Sequence, residues 1–325
     1  MTSRAQLAQH DVVEGVYLSA SLDLPDIFGP ETETRDGIRL YRPEDVPDPA
    51  RIRFALAWNP AEDAFDAYPN IGLVQVIAAG VDGVLSNRSL PKHAVVARVH
   101  DKEQAAIMAG FAAWHVVWHH RQMGNYIAAQ QASRWDRQTV KILRPPSAVT
   151  VGILGYGLMG QAIAQTVASM EFPVLVAARS PRQDEGRISC ISGPGSVEAV
   201  AARADILINI LPLTDATQGI LDAGLFARMP KGAALIQLGR GNHLVEEDLL
   251  AALTSGQIGG ASLDVFRQEP LPADHPFWSH PMVFITPHEA SITSAPAVID
   301  ALEHSLEQIQ AGQHPSTAVD RKTGY

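Results

Sequence analysis

Short apolar runs alternate along the chain with segments in which apolar residues recur at helical spacing. In the first third, GVYLSA (15–20), RFALAW (53–58), LVQVIAA (73–79) and AVVARV (94–99) read as strands. They are continuous rather than alternating, the pattern of parallel strands covered on both faces. A long helix is predicted over residues 102–121, rich in Ala, Met and Trp. A more polar stretch follows, ended by Pro145-Pro146. A second series then predicts strands over 148–154, 173–178, 205–211, 233–238, 261–265 and 283–286, most of them separated by helical patterns. LVEEDLLAAL (244–253) stops at Ser-Gly, and the stretch 296–310 aligns Val298, Ile299, Leu302, Leu306 and Ile309 on one stripe before Gly312. This βαβ alternation predicts an α/β protein built on doubly wound parallel sheets.

Length and charge narrow the picture. The 325 residues suffice for about two domains. A formal charge of −10 disfavours nucleic acid or an anionic membrane as a general partner. Cys190 is the single cysteine, which excludes an internal disulfide framework and fits a reducing compartment. MTSRAQLAQHDVVEG, at the start, lacks the apolar core of a signal peptide. The uncharged run 145–170 has the length of a membrane span. Its prolines, glycines and glutamines make it a strand, a tight turn and a buried helix instead.

That run contains Gly155-Tyr156-Gly157-Leu158-Met159-Gly160 directly after the apolar strand VTVGIL and at the start of a helix. This is the setting a dinucleotide-binding GxGxxG requires. Gly155 permits the turn, Gly157 lets the backbone approach a pyrophosphate, and Gly160 allows close helix–strand packing. At the end of the next strand, where an acidic residue would hold an NAD ribose, stands Arg179-Ser180-Pro181-Arg182. Two guanidiniums and a hydroxyl suit a 2′-phosphate, so NADPH is expected over NADH.

Three polar residues follow three other strands: Arg240 after ALIQLG, Glu269 after SLDVF and His288 after VFIT-Pro287. Ligands of open parallel sheets bind beyond the carboxyl ends of the strands. An arginine, a carboxylate and a histidine are therefore expected together near the cofactor. His115, His119 and His120, on one predicted helix, are read as helix packing or a subunit interface rather than as metal ligands, and Cys190, in a loop, as structural. No metal is expected.

GYGLMG, LINILPLTDAT, LGRGNHLVEEDLLAAL, LDVFRQEPLP and TPHEA together resemble the D-2-hydroxyacid dehydrogenase family, in order and spacing. AAGVDGV (78–84) resembles that family's substrate loop. The WNP and VAR segments, the arginine-bearing loop and the ending AVDRKTGY are most similar to its glyoxylate/hydroxypyruvate reductase A branch. The resemblance runs from about Arg53 onward. It implies two Rossmann-like domains with a cleft between them: a discontinuous substrate domain, flavodoxin-like, over 1–110 plus 290–325, and a cofactor domain over 111–289. It implies Arg240 binding and polarising the 2-keto acid, His288 as general acid and Glu269 orienting it. Gly80 and Val81 would hold the substrate carboxylate through their amides. Trp58 and Arg98 would face the cleft from strand ends, with packing for Trp58 and a surface ion pair for Arg98 as the alternatives. Leu158, Met159, Leu211, Pro212, Thr217 and Asp264 would join the cofactor contacts. The activity implied is NADPH-dependent reduction of glyoxylate and hydroxypyruvate by a cytoplasmic homodimer joined through its cofactor domains. A dehydrogenase of bulkier 2-keto acids and a dinucleotide-sensing binding protein of the same fold are the alternatives. Against the family pattern, Gln237 and Gly239 replace Asn and Ala before Arg240, and Glu289 replaces an apolar residue after His288. Gly239 is expected to loosen the arginine's backbone, and Glu289 to raise the histidine pKa if it points inward.

Overall fold

The computed structural model describes residues 12–137, 144–321 and 324. The ends of MTSRAQLAQHDVVEG and AVDRKTGY, and part of the polar stretch before Pro145, lie outside the described residues. The chain divides into two compact units: Met1–Asp101 with Thr293–Tyr325, and Lys102–Ile292. All of the helix starting at Lys102 thus belongs to the second unit, whereas the sequence reading divided it at 110.

In the first unit, β1 (Val13–Ser19), α1 (Leu24–Thr32), β2 (Ile38–Tyr41), β3 (Phe54–Trp58), β4 (Leu73–Val76), α2 (Asp82–Leu85) and β5 (Val95–Ala97) are followed, much later in the chain, by a C-terminal helix, Ala295–Gln310. The strands form one parallel sheet in the order β2-β1-β3-β4-β5. All four positions of β4 are buried, as are the first four of β3, so both faces of the sheet are covered. One face packs on α1 and on Val298, Ile299, Leu302 and Leu306 of the C-terminal helix; the other packs on Val81, Val84 and the loop residues Phe65, Tyr68 and Ile71.

The second unit contains α3 (Lys102–His120), α4 (Met123–Gln131), β6 (Val151–Leu154), α5 (Leu158–Ser169), β7 (Val174–Ala178), β8 (Ile188–Ser192), α6 (Ser196–Ala201), β9 (Ile206–Asn209), α7 (Ala223–Arg228), β10 (Ala233–Gln237), α8 (Glu246–Thr254), β11 (Ile258–Leu263) and β12 (Val283–Ile285). Its parallel sheet runs β12-β11-β10-β9-β6-β7-β8. Helices α3 and α5 cover one face, and α6, α7 and α8 the other. The C-terminal helix of the first unit is α9. The strand order reverses between β6 and β9, which is where such a sheet opens a ligand crevice. Both units are doubly wound parallel-sheet structures, as the βαβ alternation predicted.

The uncharged run 145–170 resolves into a one-turn 3₁₀ segment, β6, the glycine turn and α5. No helix among the described residues is long and apolar enough to cross a membrane. Three parts of the sequence reading need correction. Strands β2 and β8 were not foreseen, because both lie at sheet edges and are only partly buried, so neither reads as a continuous apolar run. Cys190, expected in a loop, is part of β8 and pairs with Val176. Helix α1 carries Pro25 in its first turn and Pro30 near its end, which hid it.

Candidate active site

The ends of β10, β11 and β12, adjacent and parallel, deliver three functional groups to one edge. The His288 Nδ1 lies 2.8 Å from Glu269 Oε2, and Glu269 Oε1 accepts the Phe266 N–H at 2.9 Å. Both carboxylate oxygens are thereby oriented. The side chains of His288 and Glu269 are 36% and 38% exposed, so the pair faces outward rather than being buried for stability. With Nδ1 held by Glu269, Nε2 is the ring nitrogen that can exchange a proton with a bound molecule.

The hydrogen bond to Glu269 raises the His288 pKa above the ordinary imidazole value. Burial and the Arg240 charge oppose this, while the Glu269 and Asp264 charges add to it. Burial alone would raise the Glu269 carboxyl. The hydrogen bonds from His288 and Phe266, with the His288 and Arg240 charges, outweigh it and lower the pKa. The two shifts favour an imidazolium–carboxylate pair.

A buried carboxylate fixes the segment that carries His288. Asp264 is 1% exposed. Its Oδ1 accepts from Thr286 Oγ1 at 2.6 Å and from the Glu289 N–H at 2.9 Å, and its Oδ2 accepts from the Ala290 N–H at 3.0 Å. The His288 N–H donates to the Asp264 carbonyl at 2.8 Å. These bonds hold His288 at φ +60°, a left-handed conformation that non-glycine residues rarely adopt. Glu289 is exposed, and the hydrogen bond to Glu269 leads the causes that raise the His288 pKa.

Arg240 follows β10 at a tightly built turn. Its Nη1 donates to the Gly239 carbonyl at 2.8 Å, and Gln237 Nε2 donates to the Arg240 carbonyl at 2.8 Å. Gly239 is the reverse of a loosening: a methyl there would stand 2.8 Å from both Asn209 Nδ2 and His243 Nδ1. Gly241 is tighter still, since a Cβ would meet the Phe266 carbonyl carbon at 1.9 Å. The arginine turn and the segment leading to Glu269 are therefore in backbone contact.

The glycine turn lies after β6. Gly155 adopts φ +105°, and a Cβ on Gly160 would sit 2.1 Å from the Gly155 carbonyl oxygen. A Cβ on Gly157 would meet nothing within 4 Å, so the backbone there is open to a close-approaching group. Leu158 and Met159 open α5. Ile210 and Leu211, after β9, pack against Gly155. The Thr217 hydroxyl donates to the Pro212 carbonyl at 2.7 Å, shaping the loop between them. Arg179, Ser180 and Arg182 lie exposed beyond β7.

In the first unit, Trp58 ends β3, Gly80 and Val81 follow β4, and Arg98 follows β5 directly, on three neighbouring strands. Among the described residues no hydrogen bond occupies the Gly80 or Val81 N–H. Among the described residues no hydrogen-bond partner meets the buried Arg98 Nε, and burial lowers the guanidinium pKa. Trp58 is half-buried against the core of its own sheet.

The histidines of α3 are engaged elsewhere. His115 Nδ1 and His119 Nε2 meet Ser262 Oγ at 2.8 and 2.9 Å, and His120 Nε2 meets the Arg144 carbonyl at 2.7 Å. Burial pushes His115 down to about 4; burial and His115 push His119 down to about 3. Among the described residues no group of three or more His, Cys, Asp or Glu could hold a metal.

Residues 113–290 match the model of the D-isomer specific 2-hydroxyacid dehydrogenase NAD-binding domain. The chain belongs to the D-isomer specific 2-hydroxyacid dehydrogenase family. It is 38% identical over 295 residues to a glyoxylate/hydroxypyruvate reductase A of Serratia proteamaculans, covering 89% of this chain and 91% of that one. A D-isomer specific 2-hydroxyacid dehydrogenase from Xanthobacter autotrophicus Py2, solved with NADPH and MES, superposes with a TM-score of 0.88 at 33% identity, over 96% of this chain and 99% of that one. An NADPH-dependent glyoxylate/hydroxypyruvate reductase from Sinorhizobium meliloti, solved with NADP and sulfate, gives the same TM-score and coverage at 32% identity.

Within this dehydrogenase the sequence reading missed Asn209, Gly241, His243 and Thr286, which shape the site without being reactive groups. Asn209 and Gln237 did carry a signal. Each is fully buried and polar at the end of an apolar strand, where an unpaired amide would be costly.

Proposed function

We propose that this dehydrogenase reduces small 2-keto acids, foremost glyoxylate and hydroxypyruvate, to 2-hydroxy acids with NADPH. The observation that carries the reading is the Glu269–His288 pair beside Arg240, on the edge of a sheet whose first βα turn has an open Gly157. The likeness to the reductases of the A branch supports the choice of keto acid.

The residues fit the dinucleotide. The open backbone at Gly157, backed by the closely packed Gly155 and Gly160, suits a pyrophosphate at the start of α5, helped by Leu158 and Met159. Leu211, Pro212 and Thr217 would line the neighbouring loop. Arg179, Ser180 and Arg182 would hold the 2′-phosphate, and no carboxylate stands at the end of β7 to prefer a free ribose hydroxyl. NADPH, when bound, supplies the hydride for C2 of the keto acid.

The protein's part is charge and proton handling. The Arg240 guanidinium pairs with the substrate and stabilises negative charge developing on the carbonyl oxygen. His288, protonated, gives its Nε2 proton to that oxygen, and Glu269 keeps the ring oriented and charged until then. Asp264 holds the His288 segment. In the first unit, the Gly80 and Val81 amides would hold the substrate carboxylate, with Trp58 and Arg98 as further candidates. We place the protein in the cytoplasm as a homodimer formed through its second unit. Trp114 of α3, 48% exposed and packed on Trp118 and Phe284, supports that surface.

The test is loss of reduced-nicotinamide absorbance with glyoxylate, hydroxypyruvate, pyruvate and phenylpyruvate, using NADPH and NADH in parallel. The expected result is turnover of the two small acids, with NADPH favoured at least about tenfold in kcat/KM, the scale of one charge-assisted phosphate contact. Binding of NADPH without oxidation by any 2-keto acid would instead favour a dinucleotide sensor.

A further inference from the structure

His243 lies in the short turn after Arg240 and is fully buried. It is not a surface histidine folded in by chance, because its ring nitrogens tie together two parts of the site. The Arg240 N–H points at Nδ1 from 3.0 Å, and a backbone N–H can only donate. Nδ1 is therefore the acceptor. Asn209 Nδ2 approaches the same nitrogen at 3.1 Å while also donating to Gln237 Oε1 at 2.7 Å, which fits that assignment. The proton of the neutral ring is then on Nε2, 3.2 Å from the Pro212 carbonyl, which accepts it. Thr217 Oγ1 donates to the same carbonyl. Pro212 continues the Ile210–Leu211 segment that packs on Gly155 of the glycine turn.

We propose that His243 is a positioning residue linking the substrate-binding arginine to the cofactor loop. Its Nδ1 fixes the main chain from which the Arg240 guanidinium projects, and its Nε2–H fixes the Pro212 carbonyl and so the loop against the glycine turn. The inference rests on the function proposed above for Arg240 and for that loop. It adds that one buried imidazole sets both in register. A Cβ at position 239 would stand 2.8 Å from its Nδ1, so the ring occupies the space that Gly239 leaves.

The two ends of the ring can be tested separately. His243→Asn can place an amide oxygen near Nδ1, keeping the acceptor for Arg240 while losing the Pro212 link. His243→Gln can place its amide NH₂ near Nε2, keeping the Pro212 link while losing the acceptor. In His243→Asn we expect keto-acid kcat/KM within about threefold of the parent and NADPH affinity, measured calorimetrically, weakened roughly fivefold or more. In His243→Gln we expect the reverse, with kcat/KM down roughly tenfold or more, the scale of a buried hydrogen bond left unmade. Amide hydrogen exchange in the unliganded protein reads the Arg240 N–H directly: protection survives in His243→Asn and is lost in His243→Gln. Because that readout needs no turnover, it separates failure of this proposal from failure of the proposed reaction. Thermal unfolding of both variants accompanies these measurements. A purely structural histidine would lower Tm and weaken both functions in parallel in the two variants, and that result overturns the proposal. So does unchanged behaviour in both.

Discussion

His288→Asn is expected to lower kcat for keto-acid reduction roughly 10²–10⁴-fold, the range supplied by a positioned proton donor. Asparagine is the informative replacement, because His288 sits at φ +60° and Asn tolerates that region better than other non-glycine residues. The Asp264 bonds to the segment involve Thr286 Oγ1 and the backbone N–H groups of residues 288, 289 and 290, so they remain. What disappears is the ionisable ring. NADPH affinity, titrated by calorimetry, should stay within about threefold of the parent. Steady-state kinetics with glyoxylate and hydroxypyruvate check the first number. Loss of kcat and affinity by the same factor would mean that the histidine supports the fold rather than the reaction.

Arg240→Lys is expected to cost roughly 10²–10³-fold in kcat/KM for the keto acid, comparable to removing one donor from an oxyanion site. Charge is conserved, but a lysine presents one compact ammonium where arginine presents a planar fork. The turn itself should survive. Its bonds from Gln237 Nε2 to the 240 carbonyl and from the 240 N–H to His243 are made by the main chain of residue 240. The loss should therefore appear against the keto acid and leave the KM for NADPH close to the parent value. An Arg240→Lys enzyme with near-parental kcat/KM would remove Arg240 from the proposed chemistry.

The residues proposed to react were more legible in the sequence than their supports. Arg240, Glu269 and His288 each follow a strongly apolar strand, and strands β10, β11 and β12 turned out to be neighbours. Strand ends are readable from hydrophobic runs, and parallel sheets gather them at one edge. The glycine turn was readable for the same reason, because β6 and α5 flank it in sequence. The edge strands β2 and β8 were not, since partial burial leaves no continuous apolar run. His243 gave no usable signal either. Its role depends on Arg240 N–H, Asn209 and Pro212, and Asn209 and Pro212 come from distant parts of the chain. Gly239 was misread for a similar reason. A glycine beside a proposed catalytic residue suggests slack, yet the space its missing side chain leaves lies hard against His243 and Asn209. Asp264 lies between these cases: the sequence marked it as part of the site, and the fold shows its carboxylate bonded to the segment that carries His288, just after β12.

The account turns on a protonated His288 held by Glu269, and the pH dependence of kcat/KM for hydroxypyruvate reduction tests it most directly. Reduction consumes the imidazolium proton. The rate should therefore be level at low pH and fall as pH rises through the His288 pKa, which Glu269 holds above the ordinary imidazole value. Glu269→Gln removes the carboxylate charge while keeping a hydrogen-bonding side chain of the same size. The falling limb should then move to lower pH by roughly one unit or more, as expected when an adjacent opposite charge is lost. A limb at the same pH in the parent and in Glu269→Gln, or a reduction rate that rises with pH, would contradict the assignment of His288 as the acid.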